Sequence, residues 1–208
     1  MSEELNENIS WTPYLEKYFA DTGERSICLS VLHQNAEAVY SRRRNFISLP
    51  AIVLSGVIGF GSVGSSSMFA GQTELASIIL GVMSLFVTML QAVESFFQWS
   101  KRAENHRLSG ISYAKLHRFI AVEMRLPQRE RIRASDFLKM VKDTYDRLQE
   151  TSPAFPPHVI TDFKKKFNNT QYNNISKPPE ANGLEQIIIY RPPVEEEGSE
   201  ENKEEDKI

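Results

Sequence analysis

The sequence predicts an all-α protein: a two-transmembrane helical hairpin with long cytoplasmic helical extensions and disordered termini. Two apolar stretches predict the hairpin, residues 46–65 and residues 75–93, and the second contains no charged residue. A helix rises about 1.5 Å per residue, so about 20 residues cover the roughly 30 Å of hydrocarbon in a bilayer. Apolar residues at helical spacing on both sides predict that the helices continue outside the membrane.

Three parts are predicted along the chain. An N-terminal segment (1–21) precedes a two-transmembrane helical domain (22–150), and a short helix with a disordered acidic tail follows (151–208). The 208 residues carry a net charge of -3. The tail contains a concentration of acidic residues: Glu195, Glu196, Glu197, Glu200, Glu201, Glu204, Glu205 and Asp206. The rest of the chain is therefore basic, and a chain of this length excludes a many-spanning transporter.

The N-terminal segment is predicted to contain a short amphipathic piece over residues 11–19. Pro13 stands where the first turn of a helix tolerates proline, and Trp11, Tyr14 and Phe19 are expected at the level of the lipid headgroups. Asp21 and Glu24 resemble a capping box, which predicts that a new helix begins there and runs into the membrane. Pro50 is expected only to bend that helix.

Small residues recur four apart in both spans. Ser55 and Gly59 form one such pair, and Ser77 and Gly81 form another. Because small residues let two helix backbones approach closely in lipid, these pairs predict a tight hairpin with a short turn near residues 65–73.

Beyond the second span the helical pattern continues, which predicts one helix from residue 75 to residue 124. Ser135 is expected to cap a helix over residues 136–150, and a further short helix is expected over residues 158–167. From Asn168 onward the chain is rich in Asn, Pro and Glu and is predicted to be disordered. Its β-prone run 184–190 is interpreted either as an edge strand for a partner's sheet or as a sticky piece of tail, and the second interpretation is favoured.

Basic residues flank the two spans on one side. The cationic side chains expected at the lipid headgroups are Arg42, Arg43, Arg44, Lys101 and Arg102, whereas the connection 66–74 has no Lys or Arg. The positive-inside rule then places both termini in the cytoplasm and predicts a multi-pass membrane protein. Anionic lipid, and not nucleic acid, is the expected partner of these charges.

A stripe of small and polar residues follows one side of the second span, and we call it the polar stripe. Its members are Ser77, Gly81, Ser84, Thr88, Gln91, Ser95 and Gln98. One interpretation is a pore lining, because hydroxyls and amides around a shared axis form a wettable path for small ions. The other is a helix contact against the first span or a neighbouring copy. Gln91 is the bulkiest polar group within the span and the first to test.

Helix geometry favours the contact interpretation. At about 100° per residue, Ser84 and Ser95 point in the same direction as Tyr113 and Ile120 beyond the membrane. The same face is polar where the solvent is lipid and apolar where it is water, as expected of a packing surface in each medium. Packing between copies is also how a small hairpin builds a pore, so the chain is expected to self-associate.

No catalytic, cofactor or metal site is expected. The four histidines, His33, His106, His117 and His158, lack metal-ligand spacing and are expected at the surface or near the membrane. Cys28 is the only cysteine, which excludes an internal disulfide, and it is interpreted as a buried helical thiol. These patterns argue against an enzyme.

Three segments together resemble the SLATT superfamily. They are Tyr40-Ser-Arg-Arg-Arg-Asn-Phe46, Ala103-Glu-Asn-His106 and Tyr113-Ala-Lys-Leu-His-Arg-Phe-Ile120. The resemblance covers about residues 24–150. SLATT proteins are two-transmembrane proteins of nucleotide-second-messenger defence systems, with relatives in large DNA viruses of eukaryotes. The resemblance implies a pore-forming membrane effector.

Two functions are therefore expected. The first is a homo-oligomeric, pore-forming membrane protein. The second is a non-conducting membrane scaffold, for instance a virion or organelle membrane component, whose C-terminal region recruits a cytoplasmic partner.

Overall fold

The structure is a computed structural model that describes residues 9–68, 72–167, 172, 174–184 and 186–190. All regular elements in these ranges are helical, as predicted. They are α1 (Pro13–Met68), α2 (Thr73–Phe97), α3 (Trp99–Arg125), a 3₁₀ turn (Gln128–Glu130), α4 (Ala134–Thr151), α5 (Pro157–Phe167) and α6 (Pro179–Asn182). Much of the predicted turn 65–73 and the whole acidic tail lie outside the described residues.

Helix α1 begins at Pro13, which was expected in a first helical turn, and continues past Asp21. The Thr12 hydroxyl accepts a hydrogen bond from the Leu15 backbone N–H at 3.2 Å, so Thr12 caps the helix and Pro13 occupies its first turn. The predicted start at Asp21 is wrong, because the helix is already formed there and continues unbroken through Pro50.

Helices α1 and α3 pack side by side in opposite directions. Buried contacts link Ser30 to Gly110 and His33 to His106, so residue numbers rise along one helix as they fall along the other. Farther along α1, Gly61 meets Leu80 of α2. Helix α2 thus folds back along the C-terminal half of α1.

The main core lies at the N-terminal end of α1. Phe19 and Phe137 are fully buried, with ring centroids 4.6 Å apart, and Trp11 packs on both rings. The Trp11 indole N–H also donates to the Ile132 carbonyl at 3.1 Å. The predicted headgroup position is therefore wrong for Trp11 and Phe19, since α4 covers this face of α1.

The long helix predicted over residues 75–124 is interrupted. Gln98 has φ 50° and ψ 39°, in the left-handed region, and it separates α2 from α3. Backbone hydrogen bonds span the interruption, from the Gln98 N–H to the Glu94 carbonyl and from the Arg102 N–H to the Gln98 carbonyl, both at 2.9 Å. The chain therefore turns at one residue and resumes as a helix.

Two predictions for the C-terminal helices have different outcomes. The predicted helix 158–167 is confirmed as α5. Ser135 was expected to cap α4, but the cap position is Arg133 and Ser135 lies inside the helix. The Arg133 side chain caps no backbone N–H of α4, and its guanidinium pairs with Asp136 of the first turn at 2.8 Å.

The disorder predicted from Asn168 onward is wrong for residues 174–182. Ser176 donates hydrogen bonds from its N–H to Glu24 and from its hydroxyl to Asp21, both at 2.7 Å. Pro178 and Ala181 are buried against the bundle. The two carboxylates interpreted as a capping box hold this segment against α1, a tertiary contact that composition does not reveal.

Candidate functional site

Helix α2 meets α1 through a face of mainly apolar residues. On α2, Ala76 and Val87 are buried and Leu80, Met83 and Leu90 are half-buried. On α1, the matching positions are Ala51, Leu54, Ile58 and Gly61. Both sets repeat at spacings of three and four residues, which defines one side of each helix.

The polar stripe lies on another side of α2. All seven members, Ser77, Gly81, Ser84, Thr88, Gln91, Ser95 and Gln98, are exposed. Most stand one position after a contact residue, as Ser77 follows Ala76 and Thr88 follows Val87, so the stripe is rotated about 100° from α1. The interpretation of the stripe as a contact with the first span of the same copy is therefore wrong.

The turn at Gln98 explains this difference. Counted along one unbroken helix, the buried α3 face of Tyr113, Leu116 and Ile120 continues into the polar stripe, as the sequence predicted. The left-handed residue breaks that register, and the contact face on α2 moves to Ala76 and Val87. The stripe is thereby turned away from α1.

The predicted small pairs also face outward. A Cβ atom added at Gly59 or Gly81 would meet nothing within 4 Å, whereas one added at Gly61 would lie 3.0 Å from Leu80 Cδ2. Close approach of the two helices therefore depends on Gly61, and the pairs that were expected to supply it are left uncovered.

The pair of helices α1 and α2 has two opposite exposed sides that differ in composition. A groove on one side is lined by Val57 and Phe60 of α1 and by Ile79 of α2. The exposed large residues on this side define the apolar face: Val53, Val57, Phe60, Ile79, Val82, Phe86, Met89 and Val93. At about 100° per residue, the opposite side carries Ser55, Gly59 and Ser62 of α1 beside the polar stripe of α2. We call this opposite side the polar face.

Only some of the polar side chains on the polar face form hydrogen bonds within α2. The Ser77 hydroxyl donates to the Thr73 carbonyl at 2.8 Å, and the Thr88 hydroxyl donates to the Ser84 carbonyl at 2.9 Å. For the Gln91 amide, the described part of the chain offers no hydrogen-bond partner. Burying an unpaired amide in an apolar medium costs roughly 2–7 kcal/mol.

The predicted headgroup residues lie at one level of the helix pair. His33 faces His106 and Gly61 faces Leu80, so positions near residue 42 lie opposite positions near residue 98. Arg42, Arg43, Lys101 and Arg102 are exposed there, and Arg44 is half-buried. The Arg43 guanidinium lies 6.0 Å from the centroid of the Tyr40 ring. These cations thus form one basic band around both helices.

Sequence reasoning missed a buried histidine pair. His33 and His106 are each 1% exposed, and their Nδ1 atoms lie 2.9 Å apart. The surface position predicted for them is wrong. Their sequence positions carried a signal, because His33 lies four residues after Leu29 and His106 seven before Tyr113, on the buried faces of α1 and α3.

Aromatic rings enclose the pair. Tyr113 stacks on His33 at a centroid distance of 5.5 Å, Tyr40 stacks on His106 at 5.5 Å, and Phe155 lies 4.4 Å from His33. Burial lowers the pKa of His106 to about 4; burial, with a smaller effect from His106, lowers that of His33 to about 3. Both rings are therefore neutral at pH 7.

The other two histidines differ from this pair. His117 is half-buried, and its Nδ1 lies 2.8 Å from the Gly23 carbonyl, which accepts its hydrogen bond. His158 is exposed at the start of α5. Among the described residues, no three His, Cys, Asp or Glu side chains are grouped to hold a metal ion.

Comparison of the chain with protein-family models, curated proteins and solved structures found no match.

Proposed function

We propose that this chain is an integral membrane protein with two spans that self-associates through the polar face and lines a path for small ions with it. The observation that carries the proposal is the outward position of the polar stripe, on the side of α2 opposite the apolar face. A single copy in a bilayer would expose that stripe to lipid.

The exposure of the two apolar stretches supports membrane insertion. In the part of the chain that the structure describes, two helices are long and apolar enough to cross a bilayer, and only 6% and 11% of their most apolar 18-residue windows are buried. A core helix of a soluble protein would bury most of such a window. Phe60, Val63 and Leu85 are 70%, 87% and 65% exposed, which suits contact with acyl chains.

The basic band supports a cytoplasmic position for both termini. Arg42 precedes the first apolar stretch and Lys101 follows the second, and both lie at the same end of the helix pair. Cationic residues are retained on the cytoplasmic side of membrane proteins, and each contributes about 1 kcal/mol of attraction to anionic lipid. The α3–α4–α5 bundle then lies in the cytoplasm.

The polar face supports association with further copies of the chain. Gln91 needs a hydrogen-bond partner that the described residues do not supply, and the small residues Gly81 and Ser84 let another helix approach closely. Each interhelical hydrogen bond contributes about 0.6–2 kcal/mol, so a stable association of copies needs several of them. A ring of copies with these faces inward places hydroxyls and amides around a common axis. This arrangement agrees with the pore-forming role implied by the SLATT resemblance.

The test is ion flux from liposomes that contain the purified full chain. We expect flux from the wild type and a strong loss with Ser84→Leu or Gln91→Leu, because leucine removes the polar lining. The matched controls are Val82→Leu and Met89→Leu on the apolar face, which should leave flux unchanged. Absence of wild-type flux, or an equal loss in the controls, would contradict the pore.

One observation favours the scaffold as a second candidate. Leu184 and Ile187 are 103% and 92% exposed, so an apolar segment of the C-terminal region is open to a cytoplasmic partner. Self-association without flux would favour this function, and the polar face would then be a contact surface alone.

A further inference from the structure

The histidine pair joins the two longest helical segments outside the apolar stretches. His33 belongs to α1, which runs without interruption from Pro13 to Met68, and His106 belongs to α3. Close beside it, the Ser30 hydroxyl donates to the Gly110 carbonyl at 2.8 Å, and a Cβ at Gly110 would lie 3.3 Å from His33 Cβ. The helices are thus closely packed where the pair sits.

The hydrogen bond between the rings fixes their protonation. With both rings neutral, one Nδ1 carries a proton and donates it to the bare Nδ1 of the other ring. A first added proton can enter at the outer nitrogen, Nε2, of the donor ring, which keeps the hydrogen bond but places a charge in a buried aromatic site. A second proton must enter at the acceptor Nδ1. It breaks the hydrogen bond and sets two positive rings face to face.

We propose that His33 and His106 form an acid-sensitive latch that holds α3 against α1 when both are neutral and releases it when they are protonated. The latch itself does not depend on the proposed function. Only the statement that release of α3 would act on membrane spans rests on that function. Helix α3 joins α2 through the single left-handed residue Gln98, so it can pivot there while α1 stays one helix.

The direction of the pH effect follows from linkage. A released histidine has the ordinary pKa of 6.5, whereas the latched rings have pKa values of about 4 and about 3. The released state therefore binds more protons between these values. Above about pH 6.5 the latched state has its full stability. As pH falls toward 4, the equilibrium constant that favours the latched state decreases by up to about tenfold per pH unit for each histidine.

Other ionisable groups face the pair from the elements packed against it. From α1 the phenol of Tyr40 faces it, and from α3 the phenol of Tyr113, whose pKa burial raises to about 12. Helix α4 brings Tyr145 to within 6.3 Å of the Tyr113 ring, and Glu180 of α6 acts electrostatically on the Tyr113 phenol. The chain before α5 contributes the apolar ring of Phe155.

The charged neighbours along the two helices are Glu37 of α1 and Arg107 of α3, which attract each other. Arg107 also pairs with Glu104 at 2.7 Å on the exposed side of α3. No charged side chain in the described residues has a hydrogen bond to either ring, so the contact between the rings depends directly on the protonation of the two imidazoles.

Hydrogen exchange of the full chain in detergent tests the latch. Protection factors, which remove the intrinsic pH dependence of exchange, are compared at pH 7.5 and pH 5 for residues 103–120. The two histidines together predict a fall of up to about a thousandfold between these pH values. The fall should be absent with His33→Phe and His106→Phe combined, because phenylalanine fills the site and does not titrate. The exposed control His158→Gln should retain it.

A single variant tests the latch even if the double variant does not fold. In His33→Asn, the amide can still donate to His106 Nδ1, so only one titrating group is lost and the fall should shrink to about thirtyfold. Unchanged wild-type protection between the two pH values, or an undiminished fall in His33→Asn, would overturn the latch. Failure of ion flux in liposomes would leave this result standing, because the exchange measurement needs no bilayer.

Discussion

Gly61 of α1 faces Leu80 of α2 so closely that a Cβ atom at position 61 would lie 3.0 Å from Leu80 Cδ2. At Gly56, Gly59 and Gly81 of the same two helices, such an atom would meet nothing within 4 Å. The helices are therefore in close contact at Gly61, whereas Gly56, Gly59 and Gly81 lie on open sides.

Gly61→Ile should weaken the packing of α1 against α2. The added side chain overlaps Leu80, and overpacking of this kind costs about 1–3 kcal/mol. The free energy of unfolding in mixed detergent micelles is the measurement, and Gly56→Ile is the control because it adds the same side chain in open space. Equal losses in the two variants would show that the Gly61 contact does not set the helix spacing.

Arg131→Met should destabilise the packing of the helices outside the apolar stretches. The Arg131 side chain is 10% exposed, and its guanidinium pairs with Glu16 at 2.6 Å and also donates to the Leu126 and Met124 carbonyls. A hydrogen bond to a charged group contributes about 1.5–3 kcal/mol, and the contributions of bonds in one network do not add, so we expect a loss of about 2–4 kcal/mol in chemical denaturation.

Arg133→Met provides the comparison for that variant. Arg133 makes an ion pair with Asp136 at 2.8 Å, but its side chain is 79% exposed, so its loss should cost less than about 1 kcal/mol. A similar loss for the two arginines would contradict the role assigned to the buried site.

The Cys28 thiol should react slowly with alkylating reagents in the folded chain. It is 9% exposed, and burial raises its pKa to about 11, so little thiolate is present at pH 8. Mass spectrometry should find rapid modification only after denaturation. Rapid labelling of the native protein would contradict the packing of α1 against the bundle.

Several features of the fold could be predicted from the sequence because they depend on local pattern. The apolar stretches, the helix over residues 158–167 and the absence of regular strands in the described residues follow from spacing and composition. The position of Pro13 in a first helical turn was predicted, but the continuity of α1 past Asp21 was missed because Asp21 and Glu24 have the spacing of a cap. Their carboxylates instead bind Ser176, a partner 155 and 152 residues away.

The candidate site could be predicted only in part. The polar stripe was found from spacing, but its direction was not, because Gln98 is not a glycine and gives no sign of a left-handed turn. The histidine pair was missed since His33 and His106 meet only when α3 folds back on α1. Their positions on buried helix faces were visible, but their contact was not.

Oxygen accessibility of spin labels in lipid bilayers tests the central claim most directly. Single labels at Ser84→Cys and Phe86→Cys, in a Cys28→Ala background, report the two opposite sides of α2 at almost the same depth. We predict that position 86 is accessible to oxygen, as expected for contact with lipid, and that position 84 is shielded by another copy of the chain. Equal accessibility at the two positions, or greater accessibility at 84, would contradict self-association through the polar face.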